Sequence, residues 1–104
     1  MDFQKQAEAI RDEMIAIRRE LHQHPELGTQ EHETHRRICA LLDAWGIEHQ
    51  TIADTGILGI IRGGKPGNCV GIRADMDALP LQEVRDRSYC SNNDGVMHAC
   101  GHDV

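Results

Sequence analysis

The periodicity of the chain changes once, at Gly46, and that change sets the order of its secondary structure. Before it, apolar residues fall at Phe3, Ala7, Ile10, Met14, Ile17 and Leu21 in alternating steps of four and three, which gathers one stripe along a helix. This spacing predicts a single amphipathic helix ending near His24, because Pro25 disfavours helical geometry in the residue before it. Gly28 reads as loop, Thr29 as the cap of a second helix running through Trp45, and Gly46 as the left-handed residue that closes that helix. The second helix is expected to bury Ile38, Leu41, Leu42 and Trp45. After Gly46 come three short β-rich runs, 47–52, 56–62 and 69–73, the last two predicted to pair as a hairpin across the turn-forming stretch 63–68. Ile57, Leu58, Ile60 and Ile61 leave little polar alternation, as in a strand covered on both faces. The fold class is therefore α/β, two helices followed by β-strands in layers. From Pro80 to Met97 the chain is polar and reads as loop.

The 104 residues have room for one small domain, or for part of a larger one. Aromatic residues are 3% of the chain, namely Phe3, Trp45 and Tyr89, so any core must be built from aliphatic side chains and is thin. The formal charge of −6, from 17 acidic against 11 Lys and Arg residues, argues against nucleic acid as a partner, because binding phosphates needs a basic face. The amino terminus lacks a basic segment followed by an apolar run, and no apolar stretch approaches the roughly 20 residues that span a bilayer. The chain therefore reads as cytoplasmic, without a membrane partner, and its four cysteines as reduced thiols.

Three clusters carry side chains with chemistry. The segment His98-Ala99-Cys100-Gly101-His102-Asp103-Val104 places His98, Cys100 and His102 at alternate positions, which in an extended backbone share a face. Thiolate with imidazole suits zinc or another late first-row divalent ion, and Asp103 is placed to orient a ligand imidazole. A loop with incidental histidines fits the same spacing. Asp75 and Asp77 follow directly on a predicted buried strand, where carboxylates of α/β proteins commonly enter a crevice. Equally, one Asp could cap a turn before Pro80 while the other pairs with Arg73. His22, His24 and Glu26 sit at the end of the first helix, where imidazoles can bond free carbonyls, and read as structural. His32 and His35 read as a solvated face, and His49 carries no signal.

Taken together, Arg19-Glu20-Leu21-His22-Gln23-His24-Pro25-Glu26-Leu27-Gly28, the segment Arg73 to Pro80 (RADMDALP), and Met97 to Asp103 (MHACGHD) resemble the amino-terminal part of the M20 metallopeptidase family. The nearest branch is that of the N-acyl-amino-acid amidohydrolases, with hippurate hydrolases and plant auxin-conjugate hydrolases. The three motifs stand in family order across nearly the whole chain. The resemblance implies the front of a three-layer α/β/α zinc-peptidase-like catalytic domain and a centre of two divalent ions, zinc, manganese, cobalt or nickel. It assigns Cys100 and His102 as metal ligands and Asp77 as a supporting catalytic residue. It places Asp75, His98 and Asp103 behind the ligands, where they orient them without touching the metals. The implied substrate is a small N-acyl or N-aroyl amino acid, cleaved at its amide bond by a water that the metals activate.

In that family the general-base Glu, the remaining ligands and a smaller lid domain, through which members often dimerise, all lie further along the chain. Residues 1–104 are therefore expected to be a partial catalytic domain that binds metal weakly, turns over nothing alone and exposes apolar sheet surface. A homo-oligomer remains compatible with them. Two other classes compete with this reading. One is a non-catalytic zinc module closed by Cys90, His98, Cys100 and His102. The other is a self-associating piece that uses its uncovered sheet.

Overall fold

The computed structural model describes residues 1–102. Helix α1 runs Phe3–Ala9, α2 Arg11–Gln23 and α3 His32–Ala44, followed by strands β1 (Glu48–Ile52) and β2 (Gly56–Ile60). The mixed helix and strand class expected from the sequence is what the chain adopts, with three helices in place of two. The expected first helix is broken at Ile10, whose φ of −104° and ψ of 3° leave the helical range. No Gly or Pro marks that break in the sequence, and the stripe that predicted continuity has little to pack on, with Phe3 72% exposed. Asp2 caps α1 by accepting the Lys5 amide at 3.0 Å. The far end is as expected: α2 stops at Gln23, and Pro25 is fully buried behind it.

Thr29 does not cap the next helix. It takes a left-handed φ of 70°, and the cap comes from further back, from the Glu26 carboxylate. That carboxylate accepts the amides of Glu33 and Thr34 at 3.2 and 2.6 Å and the Thr34 hydroxyl at 2.6 Å. A negative charge on free amides at a helix amino terminus is favoured by both hydrogen bonding and the helix dipole. At the other end, Gly46 has φ 67°, its amide bonds the Asp43 carbonyl at 3.0 Å, and the Ile47 amide bonds the Leu42 carbonyl at 2.8 Å. This paired closure is what glycine at that position permits. The face of α3 is less buried than its pattern implies: Ile38, Leu41 and Leu42 are half-buried and Trp45 is 47% exposed.

The hairpin joins the first two β-rich runs, not the last two. β1 and β2 pair antiparallel with Ile52 opposite Gly56 and Glu48 opposite Ile60. The turn is short, with Ala53 and Asp54 both left-handed at φ 48° and 65°. It closes only because residue 56 is glycine, since a Cβ there would meet the Ile52 carbonyl oxygen at 2.8 Å. The run 69–73 forms no strand, and residues 61–75 are exposed throughout. β2 is half-exposed, so it is not the strand covered on both faces that its composition predicts. His35 is likewise no solvated residue: its Nδ1 lies 3.0 Å from the Thr55 carbonyl and its Nε2 3.2 Å from the Thr51 hydroxyl, fastening α3 to the hairpin. Thr55 adds a second tie, donating its hydroxyl to Glu31 at 2.7 Å.

Candidate functional site

Three backbone segments that are distant in sequence meet beside Pro25. The Ala78 amide donates to the Glu26 carbonyl at 2.8 Å, and Leu27 and Ala78 form a parallel bridge. One residue on, Leu79 and Met97 exchange both hydrogen bonds, at 2.9 and 3.0 Å. The segment that follows α2, the Asp75–Leu79 segment and the backbone at Met97 that leads to Cys100 thus lie side by side, and Ala78 at the centre is 3% exposed. These are the three segments that carry the sequence motifs. Gly28 lies against Asp77, so close that a Cβ there would stand 3.5 Å from Asp77 Oδ2.

Around this junction a cavity of about 280 Å³ is lined by Arg73, Asp75, Asp77, Leu79, Cys100 and His102. Four of the six residues singled out in the sequence therefore share one space. Asp75 accepts from Arg73 Nη2 at 2.7 Å, the local pairing that the sequence left open for one of the two Asp residues. Cys100 and His102 are exposed at the rim. His98 does not line the cavity. It is half-buried, its ring 6.4 Å from that of His22, so the shared face expected of alternate positions in an extended backbone is not kept from His98 to Cys100 and His102. Asp103 lies outside the described residues.

Thiolate, imidazole and carboxylate round one cavity are a donor set suited to a late first-row divalent ion. Among the described residues no three His, Cys, Asp or Glu side chains stand close enough to hold a metal as a group. The chain therefore offers part of a coordination sphere. The same finding counts against the closed zinc module, and Cys90 is engaged elsewhere, its thiol donating to the Arg87 carbonyl at 3.0 Å. No helix among the described residues is long and apolar enough to cross a membrane.

Behind the cavity sits a buried polar knot that no motif announced. His22, 5% exposed, places Nε2 at 2.5 and 3.1 Å from the two carboxylate oxygens of Glu83, which also accepts the Ser91 amide at 3.1 Å. Burial by itself would raise the Glu83 carboxyl, but the bonds from His22 and Ser91 outweigh it and hold the group below its ordinary value. Glu26 behaves in the same way, raised by burial and lowered further by Thr34 and Glu33. Ser91 continues the knot by donating its hydroxyl to the Val96 carbonyl at 2.7 Å, and the Asn92 amide reaches the Gln23 carbonyl at 2.8 Å. In the sequence Glu83 is one of several charged residues in a polar loop, and only the long-range contact reveals it.

Residues 71–104 match the peptidase family M20/M25/M40. The chain is 42% identical over 103 residues to the N-acyl-L-amino acid amidohydrolase of Geobacillus stearothermophilus, covering 98% of this chain and 28% of that protein. It is 46% identical over 97 residues to thermostable carboxypeptidase 2 of Saccharolobus solfataricus, covering 91% of this chain and 25% of that protein. The solved structure of the Bacillus subtilis YXEP protein, described as a dinuclear metal binding peptidase from the M20 family, matches with a TM-score of 0.85 at 44% identity. That match covers 92% of this chain and 28% of the other. The chain thus spans about a quarter of the length of the curated relatives it matches.

Proposed function

Because the chain belongs to peptidase family M20/M25/M40, we propose that it is the amino-terminal part of the catalytic domain of a metal-dependent amidohydrolase. The enzyme hydrolyses the amide bond of N-acyl or N-aroyl amino acids, hippurate among them. The observation that carries this reading is the junction at Ala78, which draws the three motifs together and leaves Asp77, Cys100 and His102 on one cavity.

In this assignment the Cys100 thiolate and the His102 imidazole hold metal, and the Asp77 carboxylate orients a neighbouring ligand or accepts a hydrogen bond from the attacking water. Asp75, engaged with Arg73, and His98, engaged against His22, act from behind. Asp103 joins them by sequence. Two divalent ions, when bound, supply carbonyl polarisation and a water acidic enough to attack near neutral pH. Zinc, manganese, cobalt and nickel all suit the donors. The proton must reach the departing amine through a carboxylate general base outside these residues. The 104 residues alone therefore bind metal weakly and catalyse nothing. The chain works in the cytoplasm on a small molecule, and its net charge of −6 disfavours nucleic acid as a partner.

Cobalt(II) titration of the chain tests the ligand assignment. A thiolate-to-cobalt absorption band is expected, lost in Cys100→Ser, weakened in His102→Ala and unchanged in Cys90→Ser. Survival of the band in Cys100→Ser, or its loss in Cys90→Ser, would refute the assignment. Chelator-sensitive hydrolysis of an N-acyl amino acid by the purified 104-residue chain would overturn its expected inactivity.

A further inference from the structure

We propose that Glu83 is a positioning residue for the segment bearing Cys100 and His102, acting through the rings of His22 and His98; this rests on the metal-binding role given to that segment above. A carboxylate only accepts hydrogen bonds, so its contacts at 2.5 and 3.1 Å fix a proton on His22 Nε2 and fix the plane of the ring. The ring is held from further sides as well. Tyr89 meets it edge-on with centroids 5.9 Å apart, and the Arg19 guanidinium lies 4.5 Å from the Tyr89 centroid. The remaining side of His22 faces His98, at 6.4 Å and 40°.

His98 stands between a fixed point and a loose one. Met97 before it is locked to Leu79 by two backbone hydrogen bonds. Beyond it Cys100 and His102 are exposed, and Gly101 has open space where a Cβ would be. The direction in which the chain leaves Met97 is therefore set at His98, and the surface His98 rests on is the one Glu83 orients. A buried carboxylate is costly unless it is paired, and an apolar side chain would fill the same space without fixing a ring plane. Glu83 thus supplies direction to residues 98–102 from the opposite side of the junction.

The test compares Glu83→Gln with Glu26→Gln, a second pinned carboxylate that caps α3. Both variants are expected to lose stability. Only Glu83→Gln should weaken cobalt(II) binding, by about tenfold, as loss of a partner behind a ligand does. Unchanged cobalt affinity in folded Glu83→Gln, or equal weakening in Glu26→Gln, overturns the proposal. Should the parent chain show no thiolate-to-cobalt band, the metal assignment itself fails, and the proposal is then decided on metal-free protein by backbone hydrogen exchange. There Glu83→Gln should speed exchange in the 98–102 peptide several-fold while Glu26→Gln leaves it unchanged. Equal rates in the two variants would refute a positioning role.

Discussion

Residues 61–76 and residues 80–96 both lack helix and extended strand, yet they stand in opposite states. The first segment is exposed from 61 to 75, with Val70 and Ile72 at 83% and 94%. The second buries Glu83 and Ser91 and is tied to Gln23 and Pro25 through Asn92 and Asn93. By composition the order should be reversed, since the first is the richer in β-branched residues. The difference teaches that apolar content orders a strand only when another strand accepts its backbone bonds. Irregular backbone is ordered where buried side chains take over those bonds one by one, as Glu83 and Ser91 do.

The contrast is broken most forcefully at His22. His22→Leu strips the Glu83 carboxylate, 7% exposed, of its main partner, and an uncompensated buried charge costs about 3 kcal/mol. Urea unfolding should register that loss, and a change below about 1 kcal/mol would show that the knot does not hold the loop. Acid gives an intermediate effect. Glu26, Glu31 and Glu83 are all lowered from 4.5, so the stability each contributes is fully present above that value. It is lost as the pH falls through the lowered folded values. Circular dichroism during acid titration should follow this loss, and stability that rises on acidification would contradict it. The smallest effect belongs to the exposed segment: Ile72→Ser should shift stability by no more than about 0.5 kcal/mol. A loss near that of His22→Leu would mean that residues 61–76 are held after all.

What was legible in the sequence was local. Pro25 marked the end of α2 and Gly46 marked the left-handed closure of α3, whereas the face that alternation assigned to His98, Cys100 and His102 does not include His98. The resemblance of three motifs then placed Asp77, Cys100 and His102 together, and one cavity does hold all three. What was missed depends on partners far along the chain. Glu26 capping α3 in place of Thr29, and His22 meeting Glu83, follow from no spacing rule. The hairpin was misassigned because the Gly-Pro-rich stretch 63–68 reads as the stronger turn, whereas Ala53 and Asp54 take left-handed angles that their residue types seldom announce.

The Ala78 junction also has a history in folding. Its two sides close loops of unequal length: Leu79 finds Met97 across a short loop, while Ala78 must find Glu26 across one roughly threefold longer, an entropic difference of about 1 kcal/mol. Contacts between distant residues slow folding more than local ones do. The side that joins Leu79 to Met97 therefore closes more readily than the side that docks Ala78 on Glu26, and a refolding chain can bring its donor segments together before it anchors them to the segment that follows α2.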